Sequence, residues 1–277
     1  MNRSLEQANS GQRDAADELG ELHVLFTSAS HLFAVTHEAV DQMVTLPEVV
    51  AVPNAHPAVR GVINLRGAVI GLVDLRRVIG QRSAEEDLAE LVSSLTAYRH
   101  DHEMWLDALD AAADGAPFAG EVQASACAFG RFLAEMASGR RAEGRLFNHF
   151  GRAHDELHRA GADVLQIAAR GEREAASLQA GRLRRTTGSR LAAMFADVEQ
   201  TLRAGRRDIA LVLRQRGRAP LAVQVDAVET VDRLVPADGP DLDGLATGGL
   251  YAAIAKDAED RLVTVLDPDR LFGLVAA

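Results

Sequence analysis

The residues of this 277-residue chain best suited to chemistry are its single cysteine, Cys127, and a group of histidines around it. Five of the nine histidines fall between residues 100 and 158. His154 and His158 stand four apart, the spacing that projects two side chains from one face of a helix toward one ion. Leu157 between them turns that face toward a core. His102 falls on an apolar seam of its own, and Cys127, beside Ala126, falls at the edge of another. Three imidazoles and one thiolate suit Zn²⁺, which takes four nitrogen or sulfur ligands tetrahedrally. A buried histidine taken alone more often satisfies a hydrogen bond than binds a metal. The i,i+4 pair, the seam histidine and the only cysteine together favour zinc held by His102, Cys127, His154 and His158. A lone cysteine also excludes an intrachain disulfide.

Helices must position these four. Residues 84–204 are rich in Ala, Leu, Glu and Arg, and their apolar residues recur with helical period. Leu88, Leu91, Leu95, Tyr98, His102, Trp105 and Leu109 alternate steps of three and four, a seam facing a bundle core. Gly115 and Pro117 end this first helix. A second helix carries Val122, Ala126, Phe129, Leu133 and Met136, with Cys127 on it, and stops near Ser138-Gly139. A third runs from about Leu146 through Phe150, Leu157 and Val164. A fourth, near 175–203, carries Leu191, Met194, Phe195, Val198 and Leu202. Four amphipathic helices predict an antiparallel four-helix bundle whose two ends lie close together, as insertion into a host domain requires.

The flanks differ in kind and resemble each other. Phe33-Ala34-Val35, Glu38-Ala39-Val40 and Met43 match Leu221-Ala222-Val223, Asp226-Ala227-Val228 and Val231 at identical spacing. Asp74-Leu75-Arg76-Arg77-Val78-Ile79-Gly80 matches Asp267-Pro268-Asp269-Arg270-Leu271-Phe272-Gly273. Short Val-, Ile- and Leu-rich runs bounded by Gly, Pro, Asn and Asp predict strands over 22–27, 31–36, 59–64, 68–74, 208–213, 220–226, 250–256 and 261–266. Such strands close most easily into small barrels. The expected architecture is α+β and multidomain: a disordered lead (1–20), a first β half (21–83), the helical insert (84–204) and a second β half (205–277).

Composition excludes several functions. A hydrophobic content of 47% with 25% charged residues is that of a folded soluble protein. No run approaches the length of a membrane span, and the polar N-terminus lacks the apolar core of a secretory signal, so a cytoplasmic protein without direct membrane insertion is expected. A net charge of −10 argues against nucleic acid as a partner. The arginine group Arg182, Arg184, Arg185 and Arg190 reads as a solvated helix face.

Two family resemblances follow from these strings. Asp101-His102-Glu103-Met104-Trp105, Cys127-Ala128-Phe129-Gly130 and His154-Asp155-Glu156-Leu157-His158 resemble the chemoreceptor zinc-binding domain, a four-helix bundle with a His, Cys, His, His zinc set. Phe132 stands where that family usually has Trp. His100 and His149 lie off the pattern and are expected to face solvent. Gly61-Val62-Ile63-Asn64-Leu65-Arg66-Gly67, leading into Val69-Ile70-Gly71-Leu72-Val73-Asp74-Leu75, resembles CheW, the chemotaxis coupling protein. So do Val225-Asp226-Ala227-Val228 and Val265-Leu266-Asp267. That resemblance implies paired small β-barrels joining chemoreceptors to a CheA-type histidine kinase, with Asn64, Arg66 and Gly67 in a partner-contacting loop. The same three residues are also plain turn chemistry, Gly67 supplying φ > 0.

Three readings of function remain open on the sequence. In the first, a non-enzymatic adaptor carries an insert that senses zinc, or an oxidant such as hypochlorous acid acting on the zinc-bound Cys127; a permanently loaded structural zinc is its plainer form. In the second, the insert serves only homodimerisation. The third is a zinc hydrolase with Glu103 or Asp101 as base. It is disfavoured because catalytic zinc keeps a position open for water, whereas four protein ligands close the shell. No HExxH string, nucleophile elbow or phosphate loop is present.

Overall fold

The computed structural model describes residues 20–138, 144–205, 208–237 and 250–274. The expected N-terminal lead lies outside the described residues except for Gly20. The chain divides into two compact units, Met1–Glu86 with Arg207–Ala277, and Asp87–Arg206.

The first unit is β-rich. Its strands are β1 (Leu22–Ser28), β2 (His31–Thr36), β3 (Val40–Thr45), β4 (Val49–Val50), β5 (Val59–Leu65) and β6 (Ala68–Asp74), then β7 (Ile209–Leu213), β8 (Leu221–Val225), β9 (Ala227–Arg233), β10 (Val235–Pro236), β11 (Tyr251–Lys256) and β12 (Leu262–Leu266). They form two six-stranded sheets, ordered β10-β11-β12-β2-β1-β9 and β3-β7-β8-β6-β5-β4. The internal repeat is realised strand for strand. β2 and β8 each pair antiparallel with the strand before them, and each runs parallel to the last strand of the other copy, β12 and β6 respectively. A short helix follows each copy, α1 (Leu75–Val78) and, at the far end of the chain, Pro268–Gly273. Asp74 caps the first through Arg76 N–H at 3.0 Å, and Asp267 caps the second through Asp269 N–H at 2.9 Å.

The two copies interleave in building the two sheets, a strand exchange that the repeat alone does not specify. β3 leaves β2 to pair with β7, and β9 leaves β8 to pair with β1. Each sheet therefore draws strands from both sides of the insert, and among the described residues its hydrogen-bonded order is open. Burial explains the exchange. Val24, Phe26, Leu211, Leu213, Leu221, Val223 and Val225 share one core, while the alternate residues of these strands, Leu25, Ala210, Val212 and Ala222, are buried in two others. Strands apolar on both faces need a covering layer on each side.

Within the first unit, side chains order the ends of its two chain segments. Ser83 and Glu86 form a reciprocal capping box, Ser83 N–H donating to Glu86 Oε2 at 2.8 Å and Glu86 N–H to Ser83 Oγ at 3.1 Å. The Arg60 guanidinium on β5 donates to Glu85 at 2.9 Å, to Gln224 at 2.6 Å and to Asp208 at 3.4 Å. One arginine thus ties Glu85 and Asp208, which flank the second unit in the sequence, to Gln224 on β8 within the first unit.

The second unit is helical: α2 (Ala84–Ala113, begun in the first unit), α3 (Ala128–Ser138), α4 (Gly144–Phe147), α5 (Phe150–Ala169), α6 (Arg173–Leu183) and α7 (Ser189–Ala204). The expected third helix is broken at Asn148-His149. The expected fourth is continuous from Arg173 to Ala204, with a π turn at Arg184–Gly188. Leu95, Leu109, Phe129, Phe150, Leu157, Val164, Leu191 and Phe195 share its core. The C-terminal helix Pro268–Gly273 of the first unit is α8. Among the described residues no helix is long and apolar enough to cross a membrane.

Candidate metal centre

Three elements of the helical unit bring the four sequence-predicted residues together. His102 comes from α2, His154 and His158 from one face of α5, and Cys127 from the residue just before α3. Their ligand atoms all lie within 4.8 Å of one another, and Cys127 Sγ is 3.1 Å from His154 Nε2. All three imidazoles are buried, while Cys127 is half-buried.

Hydrogen bonds choose which ring nitrogen His102 and His158 present. His102 Nδ1 donates to the Tyr98 carbonyl at 2.6 Å, and His158 Nδ1 donates to the Val122 carbonyl at 3.2 Å. That leaves the lone pair on Nε2 in both, and both Nε2 atoms are buried without a hydrogen-bond partner. Two orphaned acceptors, a third imidazole and a sulfur converging in an aromatic core fit a soft-to-borderline divalent cation. Zinc is a cation that takes a donor set of this kind, and backbone carbonyls are among the outer contacts that orient histidines when they bind a metal.

Cys127 differs from its expected placement. Val122 and Ala126, like it, precede α3, which starts at Ala128. Cys127 sits in the cap position, where Sγ accepts from Gly130 N–H at 3.2 Å. The segment folds back tightly: a Cβ on Gly130 would lie 1.8 Å from the Ala124 carbonyl oxygen. Val122 and Ala126 keep helical spacing in the sequence but lie in a loop, so that spacing overstated the helix by about two turns.

Burial governs the electrostatics of the metal-free site. It lowers the pKa of His102 and His158, and it lowers His154 to about 3, helped by the neighbouring His158 and His102. Burial likewise raises the Cys127 thiol, against the pull of the Gly130 and Phe129 N–H groups. The imidazoles are therefore neutral and ready to ligate, and a divalent charge would favour the thiolate. An opening of about 310 Å³, lined by Asp101, Glu121, Arg131, Cys127, His102 and His158 among others, connects the site with solvent. Glu103 is exposed, 4.0 Å from both Arg99 and His100. His100 and His149 are exposed. Of the arginine group, Arg184 pairs with Asp107 and Asp110, and Arg190 with Glu156.

Asn64, Arg66 and Gly67 lie in the β-rich unit. Arg66 (φ +54°) and Gly67 (φ +90°) make a two-residue hairpin turn between β5 and β6, and Asn64 Oδ1 accepts from Gly67 N–H at 2.8 Å. All three are exposed, and Val69 beside them is 72% exposed. Sequence reasoning did not single out Val69, nor the carbonyls of Tyr98 and Val122, which side-chain patterns do not reveal.

Residues 22–96 match the family model of the CheW-like domain. The chain is also similar to the scaffolding protein TtCheW from Thermoanaerobacter tengcongensis, at 12% identity, with 90% of this chain and 89% of that one covered and a TM-score of 0.38. No curated protein matches the chain.

Proposed function

We propose that this chain is a chemotaxis-type adaptor that couples chemoreceptors to a CheA-type histidine kinase, and that its helical insert binds one zinc ion through His102, Cys127, His154 and His158. The CheW-like match over residues 22–96 supports the adaptor reading. The exposed hairpin of Asn64, Arg66 and Gly67 supports a contact loop for those partners, which implies a cytoplasmic site of action. The zinc reading is carried by one observation: the buried, unpartnered Nε2 atoms of His102 and His158 face a third imidazole and a cysteine sulfur. Elemental analysis of protein purified without added zinc tests it. Stoichiometric zinc in wild type, lost in His154→Ala and His158→Ala, is expected; a wild type that neither carries nor takes up zinc would refute it. Capture of a receptor or kinase by wild type, weakened by Arg66→Glu, tests the adaptor half.

The opening beside Cys127 supports sensing over a permanent staple. Hypochlorous acid reaching a thiolate there gives sulfenic acid and chloride, and sulfenic acid is a poor ligand. The oxidant is expected to release zinc from wild type. Equal release from a Cys127→Ser variant that still loads zinc would remove Cys127 as the switch.

A further inference from the structure

Trp105, the only tryptophan of the chain, is outside the ligand set yet borders one of its members. Its ring centroid lies 4.9 Å from that of His158, and its indole Nε1–H donates to the Glu121 carbonyl at 2.8 Å. The next carbonyl along the chain, that of Val122, accepts from His158 Nδ1 at 3.2 Å, and the Glu121 backbone acts on the same imidazole. Residues 114–127 belong to no helix or strand, so these carbonyls take their direction from contacts such as the indole's rather than from a backbone ladder. The indole is itself held in place. Gly161, one turn beyond His158, leaves room for it: a Cβ there would lie 2.2 Å from Trp105 Cη2. Phe118 packs edge-on at 5.7 Å.

We propose that Trp105 is a positioning residue for His158: by pinning residues 121–122 it aims the Val122 carbonyl at Nδ1, and so keeps the Nε2 lone pair turned toward the metal. The inference rests on the reading of the four ligands as a zinc site. A hydrogen-bonded outer contact of this kind governs the orientation and basicity of a ligating imidazole, and its loss weakens metal binding about 10–100-fold.

The test uses the full chain and Trp105→Phe, which keeps an aromatic ring between Phe118 and Gly161 but has no N–H to donate. Zinc affinity is measured by competition with a chromophoric chelator, and the histidine tautomers of the metal-free protein by nitrogen-15 imidazole shifts at neutral pH. Binding weaker by about 10–100-fold, with loss of the Nδ1–H pattern of His158, is the expected result. Affinity within about twofold of wild type would overturn the inference. So would an Nε2–H tautomer of His158 in the wild type, a result that needs no folded variant. If wild type takes up no zinc, the metal reading fails on its own, and the tautomer comparison still decides the role of Trp105.

Discussion

Arg76 grips the carboxylate of Asp226 across 150 residues of chain, Nε donating to Oδ1 at 2.8 Å and Nη2 to Oδ2 at 2.7 Å. The same carboxylate accepts from Ala29 N–H at 2.9 Å. Asp226 sits where the chain leaves β8 to begin β9 in the other sheet, so the pair clamps the crossing that interleaves the two copies. Arg76→Met removes both donors and leaves a half-buried carboxylate short of partners. A loss of about 1–2 kcal/mol in urea-unfolding stability is expected. Unchanged stability would show that the crossing is held by strand pairing alone.

Gly61→Ala should be more damaging than its size suggests. Gly61 has φ +150° at a register shift between β5 and β6, and a Cβ there would lie 2.2 Å from the Val50 carbonyl oxygen. Either β4 detaches from β5 or the backbone of the bulge is strained, a cost of about 1–3 kcal/mol. Hydrogen exchange of the Val49–Val50 and β5 amides reads it locally, and protection equal to wild type would contradict it.

Acid should destabilise the metal-free helical unit before it affects the zinc-loaded one. Unfolding returns His102, His154 and His158 to near 6.5, whereas burial keeps all three lower in the folded chain, His154 at about 3. Between those values the unfolded chain binds protons that the folded chain refuses, so stability rises with pH there. Full stability is therefore present above about 6.5 and is lost as pH falls from there toward about 3. Unfolding followed by Trp105 fluorescence in metal-free protein should shift to lower urea between about pH 7.5 and about pH 5.5. A midpoint that does not move would contradict the burial of three neutral imidazoles.

Zinc should stabilise the folded chain by mass action. Free zinc at 1,000 times its dissociation constant adds about 4 kcal/mol when only the folded state binds. The thermal midpoint of wild type should rise with added zinc and fall with chelator, while His102→Ala loses most of that response. Equal zinc-dependent shifts in wild type and in the variant would place the ion elsewhere.

The strands flanking the insert were legible because β1, β2, β5, β6, β7, β8, β11 and β12 carry dense apolar runs between turn residues. β3, with alternate residues exposed, and β9, with most residues exposed, belong to the repeat but lack such runs. β4 and β10 have two residues each, too few for any pattern. Within the insert, the seam of α2 and the i,i+4 pair of α5 were readable from spacing alone. The loop before α3 was misread as helix because Val122 and Ala126 fall at helical spacing from Phe129 in the sequence, although the helix starts only at Ala128.

The sequence by itself singled out the candidate donor set, the only cysteine with His102, His154 and His158, which the fold brings together. It determined the repeat as well, because equivalent strands bury equivalent residues. Only the tertiary structure decided that the copies exchange β3 and β9, because strand partners are chosen by which apolar faces need covering, and a linear pattern does not say by whom. It also decided which nitrogen His102 and His158 turn inward. That choice rests on the Tyr98 and Val122 carbonyls, backbone groups that every residue possesses and that only folding brings within hydrogen-bonding reach.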